Sequence, residues 1–330
     1  MLHAAARYMI RSVVLLGLLV AVVGGAWLAV DRLIIKADGP HDETVLVRIA
    51  PGDGHATIRW ELKRAGVIRD LYHYDAARIL AGTSFVPKEG EFEIPQRASL
   101  QTVMSIIHAG RSHQRRITVI EGVRSDGVAR LIANNENFSG KITVDIPEGS
   151  ILPETYFYTH GTRRDAILAR MQETRQISLI ESWSDRDDDL PFRSRDEALI
   201  LASIVELETG NSADRREVAG VFVNRLKRGM RLQSDPTVLY GVDGGEGRVI
   251  RRSDLKRKTP YNTYVIKGLP PTPICNPSQD SVDAVLKPAK TKNLYFVSDG
   301  KGGLRFARTL DDHNKNVRLY RKAQREAGLR

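Results

Sequence analysis

The sequence predicts an α+β protein built from an N-terminal transmembrane helix, a small α+β module and a C-terminal domain of mixed helices and a hairpin. Three observations carry that expectation. The chain opens on an apolar run without charge, continues with a strand–turn–helix pattern used twice, and ends in longer helices broken by a loop-rich stretch.

Val13–Val30 contains 18 residues without a charge, close to the roughly 20 needed to cross a hydrocarbon core. Arg7 and Arg11 precede it, and Asp31, Arg32 and Lys36 follow. With the free amino terminus, this bias favours the N-terminus in the cytoplasm and the rest of the chain on the outer, periplasmic side. Trp27 falls where an interfacial aromatic belongs. "GGAWLAVDR" offers no A-x-A cleavage site, so an uncleaved, single-pass inner-membrane anchor is expected. Residues 1–43 thus read as cytoplasmic tip, anchor and polar linker.

Residues 44–112 read as one module. Val45, Val47 and Ile49 alternate as in a strand, and a Pro-Gly-Asp-Gly turn leads to a helix marked by Ile58, Leu62 and Ile68. A second strand at 91–94 passes Pro95 into a helix over 99–109. Neither unit buries its apolar face alone, so the two must pack together. The module is similar to LysM-like glycan-binding modules; a plain packing or spacer module would use the same pattern.

The remainder, 113–330, reads as a second, larger domain. A strand at 116–120 and a helix precede a polar stretch over 133–150. An irregular aromatic segment and a helix over 162–178 come next, then a charged connection through Pro191. Helices over 195–209 and 214–228 follow, the second with Val218, Val221, Phe222 and Leu226 on one face. Residues 231–277 are loop-like. "LYFVSDGKGGLRFA" is a hairpin pattern, and a basic helix over 310–327 closes the chain.

Composition narrows the chemistry. The 50 Lys+Arg against 40 Asp+Glu give a net charge of +10, attractive to polyanions, but the charge is spread along the chain and no nucleic-acid motif appears. Cys275 is the sole cysteine, so no intrachain disulfide forms. The eight histidines show no metal-ligand spacing, there is no G-x-S-x-G elbow, and "GDGHA" and "DGGEG" are glycine turns rather than phosphate loops.

Two glutamates remain, in "LASIVELETG" at a helix end. Residues two apart on a helix point about 200° from each other, so Glu206 and Glu208 cannot share a metal or a proton. Glu206 stacks over Ala202 and Ser203, Glu208 over Ile204 and Val205. Apolar neighbours and the negative end of the helix dipole both raise the pKa of Glu208. A carboxyl still protonated near neutrality is what glycosidic-bond protonation requires. The amides, hydroxyls, rings and prolines of 231–277 suit sugar recognition, although a structural turn cluster has the same composition.

Taken together, "ASIVELETG", "VAGVFVNRLKRGMRLQSDPTVLYG", "PYNTYVIKGLPPTPICNPS", "LKPAKTKNLYFVSDGKGG" and "HNKNVR" resemble the MltG/YceG-type endolytic murein transglycosylases, from about 115 to the end. "EGSILPETY" resembles that family's acidic-aromatic segment. The resemblance implies cleavage of the MurNAc–GlcNAc β-1,4 bond in nascent peptidoglycan with a 1,6-anhydro-MurNAc product. It implies no cofactor, metal or nucleic acid, and peptidoglycan synthases as partners. The family's catalytic glutamate maps to Glu208; Leu207 stands where a lysine is often found. Gln233, Ser234, Tyr261, Asn262 and Asn276 are the candidate sugar-binding residues, with Asp235 the reserve second carboxylate. A hydrolytic muramidase and a non-catalytic wall-binding scaffold are the alternatives.

Overall fold

The computed structural model describes residues 2–242 and 249–326, the side chains of 2–6 and 8 excepted. The "DGGEG" turn and the last residue of the expected C-terminal helix lie outside the described residues. The chain divides into two compact units, 1–115 and 116–330.

In the first unit, α1 (Leu2–Val30) runs directly into a π-helical turn, Asp31–Ile35. Met9–Ile35 is long and apolar enough to cross a membrane, with mean hydropathy 2.6. The polar linker expected after it is not a free tether. Ile35 is buried in the core of the module, and Val30 and Ile34 pack against that core. Farther on, His41 is buried and its Nε2 lies 2.7 Å from the carbonyl of Pro95, while Gly39 and Arg97 exchange backbone bonds with this turn. The apolar Leu33–Ile35 run extends the helix, and the turn after Pro95 satisfies the polar backbone that follows.

β1 (Val45–Ile49) pairs antiparallel with β2 (Gly90–Ile94), Val45 opposite Ile94 and Ile49 opposite Gly90. Val47 and Ile49 face inward while Leu46 and Arg48 are exposed, the period of two that the sequence displays. Between the strands lie α2 (His55–Arg64) and α3 (Leu71–Ala81); α4 (Leu100–Ala109), capped by Ser99, follows. α2 stops before Gly66, which has φ +71°, so Ile68 is buried beyond the helix rather than on it. Helix α3 escapes the periodicity argument because both of its faces are apolar. Tyr74 and Ala77 point inward, Tyr72, Ile79 and Leu80 outward. Its start is nonetheless written in Asp70, whose carboxylate accepts the amide of Tyr72 at 3.2 Å.

The second unit begins with β3 (Arg115–Thr118), which pairs with β4 (Thr155–Tyr158). The aromatic segment expected to be irregular is therefore a strand, with Tyr156 and Tyr158 buried against Val128 and Ile132 of α5 (Ser125–Ala133). Two neighbouring side chains hold much of the polar stretch between them; Asp165 accepts the amide of Thr143 at 2.8 Å. Arg164, first residue of α6 (Arg164–Ser184), donates to the carbonyls of Ile132, Ala133, Asn135, Phe138 and Gly140. At the end of this stretch Gly149 has φ +81°, and a Cβ there would lie 2.7 Å from the ring of Pro273.

The larger core sits between α7 (Arg195–Glu208), α8 (Ser212–Lys227) and α10 (Gln279–Leu286). Ser194 caps α7 by accepting the amide of Glu197, and the carboxylate of Glu197 reaches back to the amide of Arg193 at 2.6 Å, a close variant of the capping box. The short α9 (Asp235–Tyr240) interrupts the loop-rich stretch. Helix α10 has no counterpart in the sequence reading. A hairpin of β5 (Tyr295–Ser298) and β6 (Leu304–Ala307) and then α11 (Leu310–Glu326) complete the unit.

Candidate active site

α7 runs through the core, buried from Ala198 to Val205, and in its last turn Leu207 is exposed. It ends at Glu208 because Thr209 turns to extended backbone and bonds Asn211, the cap of α8. Gly210 follows Thr209 and lies outside the helix. The helix therefore delivers a carboxyl at its C-terminal edge with a rigid core behind it.

Glu206 is not a surface residue. Its side chain is 6 % exposed and lies 3.6 Å from the guanidinium of Arg215. The amide and hydroxyl of Ser278 donate to its Oε2 at 2.8 and 2.5 Å. Ser278 is the cap of α10, so Glu206 fixes the start of that helix. Ser203, one turn earlier, accepts the amide of Ile274 at 3.0 Å. Together they lace the 274–278 segment onto α7, with Cys275 buried between. Burial pushes the Cys275 thiol well above its ordinary range, which leaves it inert.

Glu208 faces a different set. The hydroxyl of Ser234 donates to its Oε1 at 2.5 Å. Its pKa is raised to about 7, chiefly by burial and further by the charge of Asp235, against the opposing pull of Ser234 and Arg225. The direction matches that argued from Ile204 and Val205. Ser234 is itself fully buried, its amide donating to Thr263 Oγ1 at 2.9 Å, and Thr237 Oγ1 lies 2.8 Å from the same atom. Gln233, exposed and with φ +53°, makes the turn that presents Ser234. Asp235 is exposed and accepts the phenol of Tyr264 at 2.7 Å, a bond that helps raise the Tyr264 pKa after burial. Arg225, buried under the same corner, donates to the carbonyls of Leu294 and Leu232.

The structure thus brings Ser234 and Asp235 to Glu208, with the exposed Gln233 preceding Ser234 in the chain. Tyr261 lies apart, its ring 4.7 Å from that of Tyr240 and its hydroxyl 2.9 Å from Thr272. Asn262 is buried, its amide donating to the carbonyls of Asp254, Leu255 and Arg257. Asn276 is buried too; it accepts the amide of Ile151 and donates to Val123 and Ser125. Both asparagines therefore have their amides committed to holding loops.

Next to the end of α7 lies an open groove of about 250 Å³, lined by Leu207, Arg124, Pro236, Leu239, Tyr240 and Ile274, among others. The Arg124 guanidinium stacks 4.7 Å over the Tyr240 ring, and the Tyr240 hydroxyl donates to Glu148 at 3.3 Å. Burial raises the pKa of Glu148. Sequence reasoning passed over Arg124, Tyr240 and Glu148, although Glu148 opens the quoted acidic-aromatic segment. It passed over Tyr264 as well, two residues beyond Asn262 in "PYNTY".

Comparisons with known proteins agree on one family. The profile of the YceG-like family matches residues 47–319. An endolytic murein transglycosylase of Bacillus subtilis is 30 % identical, covering 92 % of both chains. One from Streptococcus pneumoniae is 34 % identical over 52 % of this chain and 31 % of its own length. The 2.6 Å crystal structure of a yceG-like protein from Listeria monocytogenes superposes with a TM-score of 0.53 at 26 % identity, over 83 % of this chain and 98 % of that one. On a family match over most of its length and a relative aligned nearly end to end, this chain belongs to the YceG-like family.

Proposed function

We propose that the chain is an endolytic peptidoglycan lytic transglycosylase in which Glu208 serves as both acid and base. Its relatives' names and its family supply the reaction class; the observation that supports the residue is the buried carboxyl at the end of α7, with a pKa near 7 and a serine hydroxyl fixing its orientation. Protonated Glu208 gives its proton to the bridging oxygen as the C1–O bond of MurNAc breaks. The resulting carboxylate takes the proton of the C6 hydroxyl as that oxygen bonds to C1. The proton returns to Glu208, no water is consumed, and a 1,6-anhydro end is left. Because the nucleophile belongs to the substrate, the pair of carboxylates used by most glycosidases is not needed.

Ser234 steadies the carboxylate once the proton has left. Asp235 favours the protonated resting state by its charge, and Gln233 is the exposed residue best placed to meet the sugar. Tyr261 is assigned to the wall of the cleft; Asn262 and Asn276 act as loop fasteners rather than sugar contacts. Residues 1–43 form the anchor segment, 44–112 a LysM-like module and 113–330 the catalytic domain. The β1–α2–α3–β2 order supports the module reading. The N-terminus lies inside and the catalytic domain outside, in a single pass, where nascent strands and the synthases that make them are found.

The test is cleavage of purified glycan strands by wild type and Glu208→Gln, with product masses. Anhydro ends are one water lighter than reducing ends, so the masses separate a transglycosylase from a muramidase. Full activity in the variant would falsify the assignment of Glu208, and wild-type binding without cleavage would favour a scaffold.

A further inference from the structure

In the first unit, the outward face of α3 and the turn after it carry apolar side chains that no protein surface covers. Ile79 is 70 % exposed, Leu80 40 % and Val86 59 %. Ile79 and Leu80 belong to the last turn of α3, and Leu80 lies beside the apolar helix. Leu80 and Phe85 share a hollow of about 430 Å³ with Trp27 and Met104, and Asp31 and Lys36, an ion pair at 2.7 Å, stand at the same hollow. Val86 is joined to that hollow through His108, whose ring bonds the Val86 backbone. The helix does not swing free of the module, because Ile35 is embedded in the module's core.

These observations identify the occupant. A Trp within a turn of the end of a spanning helix sits at the interface between acyl chains and headgroups. Leu80 and Phe85 wall the hollow at the level of Trp27, and the embedded Ile35 fixes that level. An exposed apolar cluster held at such a depth is solvated by lipid, with Asp31 and Lys36 at the headgroups. We propose that α3 and its following turn form a second membrane contact, seating Ile79, Leu80 and Val86 in the outer interfacial layer beside the spanning helix. The module then rests on the lipid surface, and its opposite side, with Arg48, faces water. This reading does not depend on which residue performs catalysis.

The test uses the full chain in vesicles of phosphatidylethanolamine and phosphatidylglycerol. Cys275 is buried; with Cys275→Ala as background, spin labels are placed singly at Ile79→Cys, Val86→Cys and Arg48→Cys. The expected result is raised collision with oxygen and reduced collision with a water-soluble nickel chelate at 79 and 86, with the reverse at 48. Aqueous accessibility at 79 and 86 equal to that at 48 overturns the proposal. So does dipolar broadening between labels at 79 that vanishes on dilution with unlabelled protein, since the face would then be covered by a second copy. Because exposed positions carry the labels, folding is preserved, and retained cleavage of glycan strands by each labelled protein verifies it.

Discussion

Glu206 and Glu208 stand two residues apart on one helix, and each accepts a serine hydroxyl at 2.5 Å. Their surroundings then diverge. Glu206 has the Arg215 guanidinium and the first amide of a second helix as partners. Glu208 has a single hydroxyl, an apolar bed and the anion of Asp235 nearby, with Arg225 acting only weakly. The same side chain is a fastener in one place and, in the proposed reaction, a proton carrier in the other. The difference teaches that burial raises a carboxyl's pKa where no matching cation stands against it.

Several substitutions break or sharpen this contrast. The largest effect belongs to Glu208→Gln, which removes about 10²–10⁴-fold of cleavage rate while leaving the fold intact by circular dichroism. Glu206→Gln is expected to do the opposite. It loses about 2 kcal/mol of stability, read as a lowered denaturant midpoint, and its activity per folded molecule keeps the wild-type pH profile. Ser234→Ala lowers kcat about tenfold, as expected for a hydrogen bond to a charged group, and moves the alkaline limb to higher pH, since the bond it removes had held the Glu208 pKa down.

Two smaller effects concern protons. Activity of the wild type falls as pH rises through about 7, because the acid must be protonated; Asp235→Asn shifts that limb to lower pH by less than about one unit. For stability the sign runs the same way. A carboxyl whose folded pKa is raised from 4.5 to about 7 contributes fully below pH 4.5 and loses that contribution between 4.5 and about 7. Melting of Glu208→Gln should therefore match the wild type at pH 4 and exceed it at pH 8. Equal differences at both pH values would mean that Glu208 is ionised at rest.

How much of this was readable beforehand follows from how local each signal is. α7 and α4 are announced by their own runs of apolar residues, and in the structure each starts at a serine cap. The pKa direction of Glu208 followed from Ile204 and Val205, its neighbours on the same helix. The fastening role of Glu206 did not, because Ser278 is 72 residues away and α10, which Ser278 caps, is short. Asn262 and Asn276 looked like sugar ligands because an asparagine in a loop has the same composition whether its amide meets a hydroxyl or a backbone carbonyl. The linker after the spanning helix read as polar because its fate depends on Pro95 and Arg97, far along the chain. Local grammar gives elements and long-range hydrogen bonds give roles.

Arg164 reads only main-chain oxygens, and five of them lie within residues 132–140. For sequence drift this creates an uneven landscape. Within that stretch the exposed Ala133, Asn134 and Glu136 are free to vary, since the fastening is to the peptide backbone, while Ile132 and Phe138 are buried and Asn135, Asn137 and Ser139 bond through their side chains. Arg164 itself has no substitute: lysine's single ammonium cannot reach carbonyls fanned around a planar guanidinium. A substitution scan should find Arg164 closed to every replacement while the exposed Ala133, Asn134 and Glu136 tolerate change. A single cation there gathers five carbonyls that no letter of the loop marks.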